Sequence, residues 1–192
     1  MSTTNAPSPF VSSAVETPER NAGGSRLRSN PTEGVNVSLA DYRDPLDAAD
    51  VVLLTDAYAR DPMGGGEALS ADVCSRLAEA LAETPGAFTL IARVDGRPAG
   101  IANCLTGFST FAARPLVNVH DVGVLPEYRG GGVGKALFAA IEDEARARGA
   151  CKVTLEVLSG NEPAKSLYAS LGYGQYALDP VTGTAQFWEK KL

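Results

Sequence analysis

Among 192 residues there are three cysteines, one histidine and one tryptophan, and these shortages exclude whole classes of chemistry. Cys74, Cys104 and Cys151 are odd in number and far apart, with no C-x-x-C spacing, so neither a zinc site nor a disulfide framework is supported. Free thiols in a reducing cytoplasm are the expectation. His120 is the single histidine, which excludes a multi-histidine metal centre, and no metal is expected. A basic excess is missing too. Seventeen Lys and Arg against 23 Asp and Glu give a net charge of −6, so no field gathers nucleic acid or an anionic membrane surface. No apolar run nears the ~20 residues of a membrane span. Residues 1–33 lack apolar periodicity and the continuous apolar stretch of a secretory leader, and Glu16, Glu19 and Glu33 disfavour a transit peptide. A disordered tail is expected there, followed by one domain over 34–192.

What is present in that domain alternates between strand-like and helix-like stretches. "VNVSLA" (35–40) reads as a strand, and 44–61 as a helix with Asp44 as cap and Pro45 in its first turn. A Gly-rich loop leads to a second helix capped by Ser70. Two apolar runs around Asp95-Gly96 form a hairpin, and "PLVNVHDVGVL" follows as a strand. A long helix then carries Leu137, Ile141 and Ala145 on one stripe and ends at Gly149. After it come a strand (151–158), a helix closed by Gly172, and two final strands over 173–178 and 185–192. Trp188, on the last of these, is expected to pack or to contact a second copy in a possible homodimer.

The chemistry concentrates at "RGGGVGKAL", Arg129 to Leu137. Each glycine in an ordered segment costs roughly 0.5–1 kcal/mol relative to alanine, so the stretch needs a reason. It follows a strand and opens the long helix, where main-chain N–H groups lack partners and the helix dipole is positive. Glycines there let phosphate oxygens approach bare backbone, with Arg129 and Lys135 flanking. A Walker A loop fails because Arg129 and Ala136 stand where glycine and a hydroxyl are required. The Rossmann fingerprint fails at Lys135. A serine-hydrolase reading of His120-Asp121 fails for want of a G-x-S-x-G elbow.

Arg-x-x-Gly-x-Gly (Arg129, Gly132, Gly134) together with "NEPAKSLYASLGY" (161–173) resembles the two signatures of the GNAT superfamily of N-acetyltransferases, and element order agrees from Val35 onward. The resemblance implies an α/β (α+β) fold: a central mixed, mostly antiparallel twisted sheet, splayed between strands 4 and 5 and flanked by about four helices. It implies acetyl-CoA as cosubstrate and a small-molecule amine as acceptor. Main-chain groups of Val122, Gly123 and Val124 would meet the pantetheine arm. Gly130, Gly131, Gly132, Val133, Gly134 and Lys135, with Arg129, would cradle the pyrophosphate, and Asn161 would hydrogen-bond the arm or simply cap its helix.

Tyr168 stands where the family places a phenol beside the thioester sulfur. Phenol and thiol have ordinary pKa values near 10 and 8.5, so proton donation to the leaving thiolate is nearly balanced; packing in the core is the alternative. The base has two candidates. His120 matches a position that carries glutamate in polyamine acetyltransferases and histidine in serotonin acetyltransferases, and histidine titrates near neutrality. Glu156 matches the glutamate of ribosomal-protein alanine acetyltransferases, and burial would be needed to make it basic enough. Simple alternation puts Asn118, His120 and Val122 on one face and Asp121, read as structural or acceptor-orienting, on the other. The segments 60–69 and 107–115, with Asp61, Glu67, Phe108 and Phe111, fall where the family places acceptor loops. Small amines rank first as acceptors, a protein N-terminus or lysine second, an antibiotic amine third. A non-catalytic acyl-CoA sensor is the rival function.

Overall fold

The computed structural model describes residues 34–176, 181, 183 and 185–191. The expected tail over 1–33 lies outside the described residues. Five strands, β1 (Val35–Leu39), β2 (Ala87–Val94), β3 (Arg97–Ser109), β4 (Arg114–Val124) and β5 (Val153–Leu155), lie side by side in chain order. The first four pair antiparallel and β4–β5 is parallel. Helices α1 (Pro45–Arg60) and α2 (Ala71–Glu83) cover one face, and α3 (Val133–Ala147) and α4 (Glu162–Ser170) the other.

Local chemistry accounts for most boundaries. Asp44 accepts from the N–H groups of Leu46 and Asp47 to start α1, with Pro45 at its first position, and Ser70 accepts from Val73 to start α2. Asp95 and Gly96 take φ of 50° and 76°, as a two-residue β2–β3 turn requires. Gly149, at φ 68°, ends α3. The stripe Leu137, Ile141 and Ala145 is buried with Val133 and Phe138 against Ala102, Cys104, Val117 and Val119 of the sheet. Each such large apolar side chain contributes about 1.5–3 kcal/mol on burial. The second core, Val51, Leu54, Ile91 and Ile101, lies under α1.

Two expectations fail. The closing strands over 173–178 and 185–192 are not formed where the chain is described: residues 173–176 and 185–191 carry no strand, while 177, 178 and 192 lie outside the described residues. Their composition suits a sheet, but that suitability expresses itself only where a ladder and a packing surface are on offer. β5, expected over 151–158, spans three residues, so its outer edge offers little of either. Trp188 is accordingly 83% exposed, with its indole N–H on Gln186 rather than in a core.

The second failure lies in β4. Its register against β3 shifts between Asn103 and Cys104, which pair with Asp121 and Val119, so His120 is an extra, bulged residue. Alternation is therefore reset. Val117, Val119, Val122 and Val124 all pack with the α3 core, whereas Asp121 turns toward α1. The expected common face of Asn118, His120 and Val122 does not exist.

Candidate active site

Pairing between β4 and β5 ends at Val119–Leu155, one residue before the bulge, and β4 runs on to Val124 with no paired strand on that side among the described residues. The sheet thus opens into a gap at this point. Leu125 donates its N–H to Ala99 of β3, so by strand alternation Val124 and Val122 turn their N–H and C=O groups into the gap. Gly123 turns its own toward β3 instead. Its part is room: a Cβ there would lie 3.1 Å from Cβ of Tyr58, which rests on this point of β4.

At the end of the gap the chain makes a short 3₁₀ turn, Pro126–Tyr128, and enters the glycine stretch. Gly130 and Gly132 have φ of 76° and 86°, a region open to glycine and strained for other residues. Gly132 caps α3 with no side chain, and the first bond of that end is made by Ala136 to the Gly132 carbonyl. Among the described residues, the N–H groups of Gly132, Val133, Gly134 and Lys135 have no partner. Four donors point outward at a positive helix end, which is the chemistry a diphosphate fits. Gly134 also lets α4 close in, because a Cβ there would sit 3.0 Å from Leu167.

Arg129 is placed otherwise than expected. Its Nε donates to the Val124 carbonyl at 3.0 Å and a terminal nitrogen to Asp61 at 2.7 Å. The guanidinium therefore ties the α1–α2 loop to the end of β4 rather than standing free beside the glycines. This pair and the hydrogen bond from the Met63 N–H hold the Asp61 carboxyl below the usual range, the Met63 bond contributing most.

Tyr168, on α4, is 8% exposed, its ring 5.2 Å from that of Phe138. The ring is part of the core, and the hydroxyl has no hydrogen-bond partner among the described residues. Burial, and secondarily the nearby Tyr58 phenol, push Tyr168 up to about 12. Tyr58 is itself raised by burial and then by the charges of Asp121 and Asp61. The sequence reading missed Tyr58, since a tyrosine late in an amphipathic helix carries no signal of its own.

Both base candidates lie at the gap. His120 is exposed on the bulge with no hydrogen bond among the described residues, so it is not a satisfied core histidine. Glu156 is exposed just beyond β5, with the Asn118 amide donating to its two oxygens at 3.3 Å each. Asn161 accepts from the Ala164 N–H at 3.2 Å and so caps α4.

The segment 107–115 does not join them. It is the tip of the β3–β4 hairpin, where Arg114 donates to the carbonyl of Gly149 behind the C-terminal end of α3. The 15 residues of α3 put that tip about 22 Å from the glycine stretch. Phe108 and Phe111 are exposed there. Asp61 and Glu67, by contrast, are at the right end. No helix among the described residues is long and apolar enough to cross a membrane.

Comparison with known proteins agrees with this geometry. The profile of the Acetyltransferase (GNAT) family matches residues 53–173. A streptothricin acetyltransferase of Streptomyces lavendulae is 36% identical over 100 residues, 51% of this chain and 51% of that protein. A mycothiol acetyltransferase of Saccharomonospora viridis is 44% identical over 63 residues, 33% of this chain and 21% of its own. The chain thus spans about half of the first of these relatives and about a fifth of the second. The crystal structure of a ribosomal-protein-alanine N-acetyltransferase from Brucella melitensis biovar Abortus 2308 superposes with a TM-score of 0.57 at 25% identity, over 76% of this chain and 98% of that one.

Proposed function

This chain belongs to the Acetyltransferase (GNAT) family, and on that premise we propose that it moves the acetyl group of acetyl-CoA to a primary amine, a small amine or amino compound before a protein N-terminus or lysine. One observation carries the reading: main-chain donors without a partner among the described residues stand at the start of α3, at the end of a gap in the sheet, and the buried Tyr168 ring lies on α4, which packs against the same helix. The thioester of acetyl-CoA supplies an activated acetyl group. The chain's own residues do the rest. Gly132 to Lys135 hold the diphosphate, each charge-assisted bond contributing roughly 1.5–3 kcal/mol. Val122 and Val124 pair with the arm's amides as an added strand would.

Tyr168 keeps its proton. At about 12 it lies well above a thiol's ordinary 8.5, so its part is to hold a hydrogen bond on the departing sulfur rather than to surrender the proton beforehand. His120 or Glu156, both exposed near where the β4–β5 pairing ends, receives the proton that the acceptor must lose. The three free cysteines, with Cys104 buried and its thiol pushed up to about 12 by that burial, fit a reducing cytoplasm and no role in the transfer.

Thiol release from acetyl-CoA with a panel of amines tests the reading, with CoA binding measured by calorimetry. Amine-dependent release is the expected result. CoA binding without release across the panel would leave the acyl-CoA sensor. No CoA binding would remove both. Comparing pH–rate profiles of His120→Ala and Glu156→Gln identifies the base, whose loss removes the lower-pH limb.

A further inference from the structure

The buried polar side chains of the described core are Thr55, Thr89 and Asn103, and all three belong to one hydrogen-bonded chain. Tyr42 donates to Thr89 at 2.9 Å, and Thr89 donates to Oδ1 of Asn103 at 2.8 Å. The Asn103 amide nitrogen donates to Thr55 and to Oδ2 of Asp121, at 3.2 Å each. Polar groups withdrawn from water destabilise a core unless each is satisfied, and a satisfied network fixes its members. Everything in this one converges on a single outward group, the Asp121 carboxylate.

Asp121 follows the bulge directly and faces α1. Among the described residues no cationic side chain pairs with it, although nine ion pairs occupy other carboxylates. It stands near Tyr58, whose ring covers Gly123 two residues on. Tyr58 in turn stands near Tyr168, with its unbonded hydroxyl. Oδ2 is engaged by Asn103, and among the described residues Oδ1 has no hydrogen-bond donor, which leaves it for one from outside the chain. Glu156, exposed and hydrogen-bonded among the described residues only by Asn118, is not fixed from the core in this way.

Resting on the reading of an amine acceptor, we propose that Asp121 anchors the acceptor's ammonium group and that Asn103 is its positioning residue, held by Thr89 and Thr55. The anchor binds the cation beside Tyr58. The proton itself leaves to His120 or Glu156, so the bond to Asp121 orients the nitrogen without becoming the base. The inference selects acceptors that arrive charged, and it ties their affinity to a network lying beneath the sheet rather than to the exposed loops.

The test compares charged and uncharged nucleophiles on the full chain. The charged probes are 1,5-diaminopentane, lysine and a short peptide with a free α-amino group; hydroxylamine, uncharged at neutral pH, is the control. Asp121→Asn is expected to raise the KM for the amines by about 10- to 100-fold, the range of one charge-assisted hydrogen bond. The KM for acetyl-CoA and the rate with hydroxylamine should stay within about threefold, and Asp121→Glu should recover part of the loss. Asn103→Ala should give the same selective loss at about 3- to 10-fold; if it fails to fold, Thr55→Ala, which removes one partner of Asn103, replaces it. Equal losses with both nucleophiles, or none with either, overturn the proposal. If the native chain acetylates no amine but does acetylate hydroxylamine, the anchor fails and transfer stands. If it acetylates neither, the acetyl-transfer reading fails and takes the anchor with it.

Discussion

Four α-helices begin among the described residues, and three of them begin alike. Asp44, Ser70 and Asn161 each turn a side-chain oxygen back onto the first N–H groups of α1, α2 and α4. The fourth, α3, begins at Gly132, which has no side chain to offer and leaves its donors open. An ordinary extended cap would accept serine or asparagine within a few tenths of a kcal/mol of glycine, but the chain turns here at φ 86°, which only glycine takes without strain and which leaves no side-chain cap. What distinguishes the α3 end is its place at the mouth of the β4–β5 gap. The lesson is that a helix end kept bare in a chain that caps its other helices is reserved for something outside the chain.

The sharpest way to break this comparison is to refill the bare end. Gly132→Val puts a β-branched residue at φ 86°, where it is a genuine outlier. The loop must refold, and losing even two phosphate contacts weakens CoA binding by about a hundredfold or more. Calorimetry checks this; CoA affinity within a few-fold of the native chain would refute the reserved-end reading. Next in size is Tyr168→Phe, which removes the hydroxyl and leaves the ring against Phe138. Here kcat should fall by about tenfold or more, the contribution of one hydrogen bond to the departing thiolate, with CoA affinity unchanged. An unaltered kcat would end the role of that phenol.

Burial of the same phenol predicts a pH dependence of stability. Tyr168 and Tyr173 are both pushed up to about 12 by burial, against about 10 in an unfolded chain. The folded form therefore holds protons that the unfolded form has lost between those values. Their contribution is complete below about pH 10 and disappears as pH rises toward 12. For Tyr168 the shift corresponds to about 2–3 kcal/mol. Denaturant titrations at pH 9 and above should show a steep decline in stability that is shallower in Tyr168→Phe. Parallel declines in the two proteins would show that the phenol ionises as easily folded as unfolded.

How much of this was legible beforehand follows from where the determining interactions lie. Helix caps, the Asp95-Gly96 turn, the α3 stripe and the place of the glycine stretch at the opening of α3 are written within a few neighbouring residues, and each formed as expected. Asn161 announced itself as a cap for the same reason. The bulge at His120 has no such local mark. No glycine or proline signals it, and it is set by which residues of β3 accept pairing with β4, so the faces of Asp121 and Val122 were misassigned. Asn103 and Thr89, polar in apolar runs, become intelligible only once Thr55 and Asp121 arrive from 48 and 18 residues away. The hairpin tip over 107–115 was misplaced because a loop's position along the chain does not tell which end of the sheet it occupies. The closing strands were overread, since an alternating pattern does not supply an edge to pair with.

Two smaller experiments sharpen the comparison. Asn161→Ala should destabilise the fold by about 1 kcal/mol through the lost cap, and Asn161→Ser should restore most of that. If the serine variant regains stability but binds CoA more weakly, the amide serves the ligand as well as the helix; equal recovery of both would make Asn161 a cap and nothing more.

The smallest effect is expected at Asp61. Its pair with Arg129 is half-exposed on the arginine side, and such pairs contribute about 0–1 kcal/mol. Asp61→Asn should therefore leave the melting temperature nearly unchanged. Its consequence lies at the neighbouring bare helix end. In the native chain the guanidinium is shared between the Asp61 carboxylate and the Val124 carbonyl, and a diphosphate held by Gly132 to Lys135 must compete with that carboxylate for it. Neutralising Asp61 removes a local negative charge as well as the competitor, so CoA affinity should rise by a few-fold, most at low ionic strength where exposed charges are least screened. A fall in affinity would mean that Arg129 serves the ligand only while Asp61 holds it, which would make the α1–α2 loop part of the phosphate site.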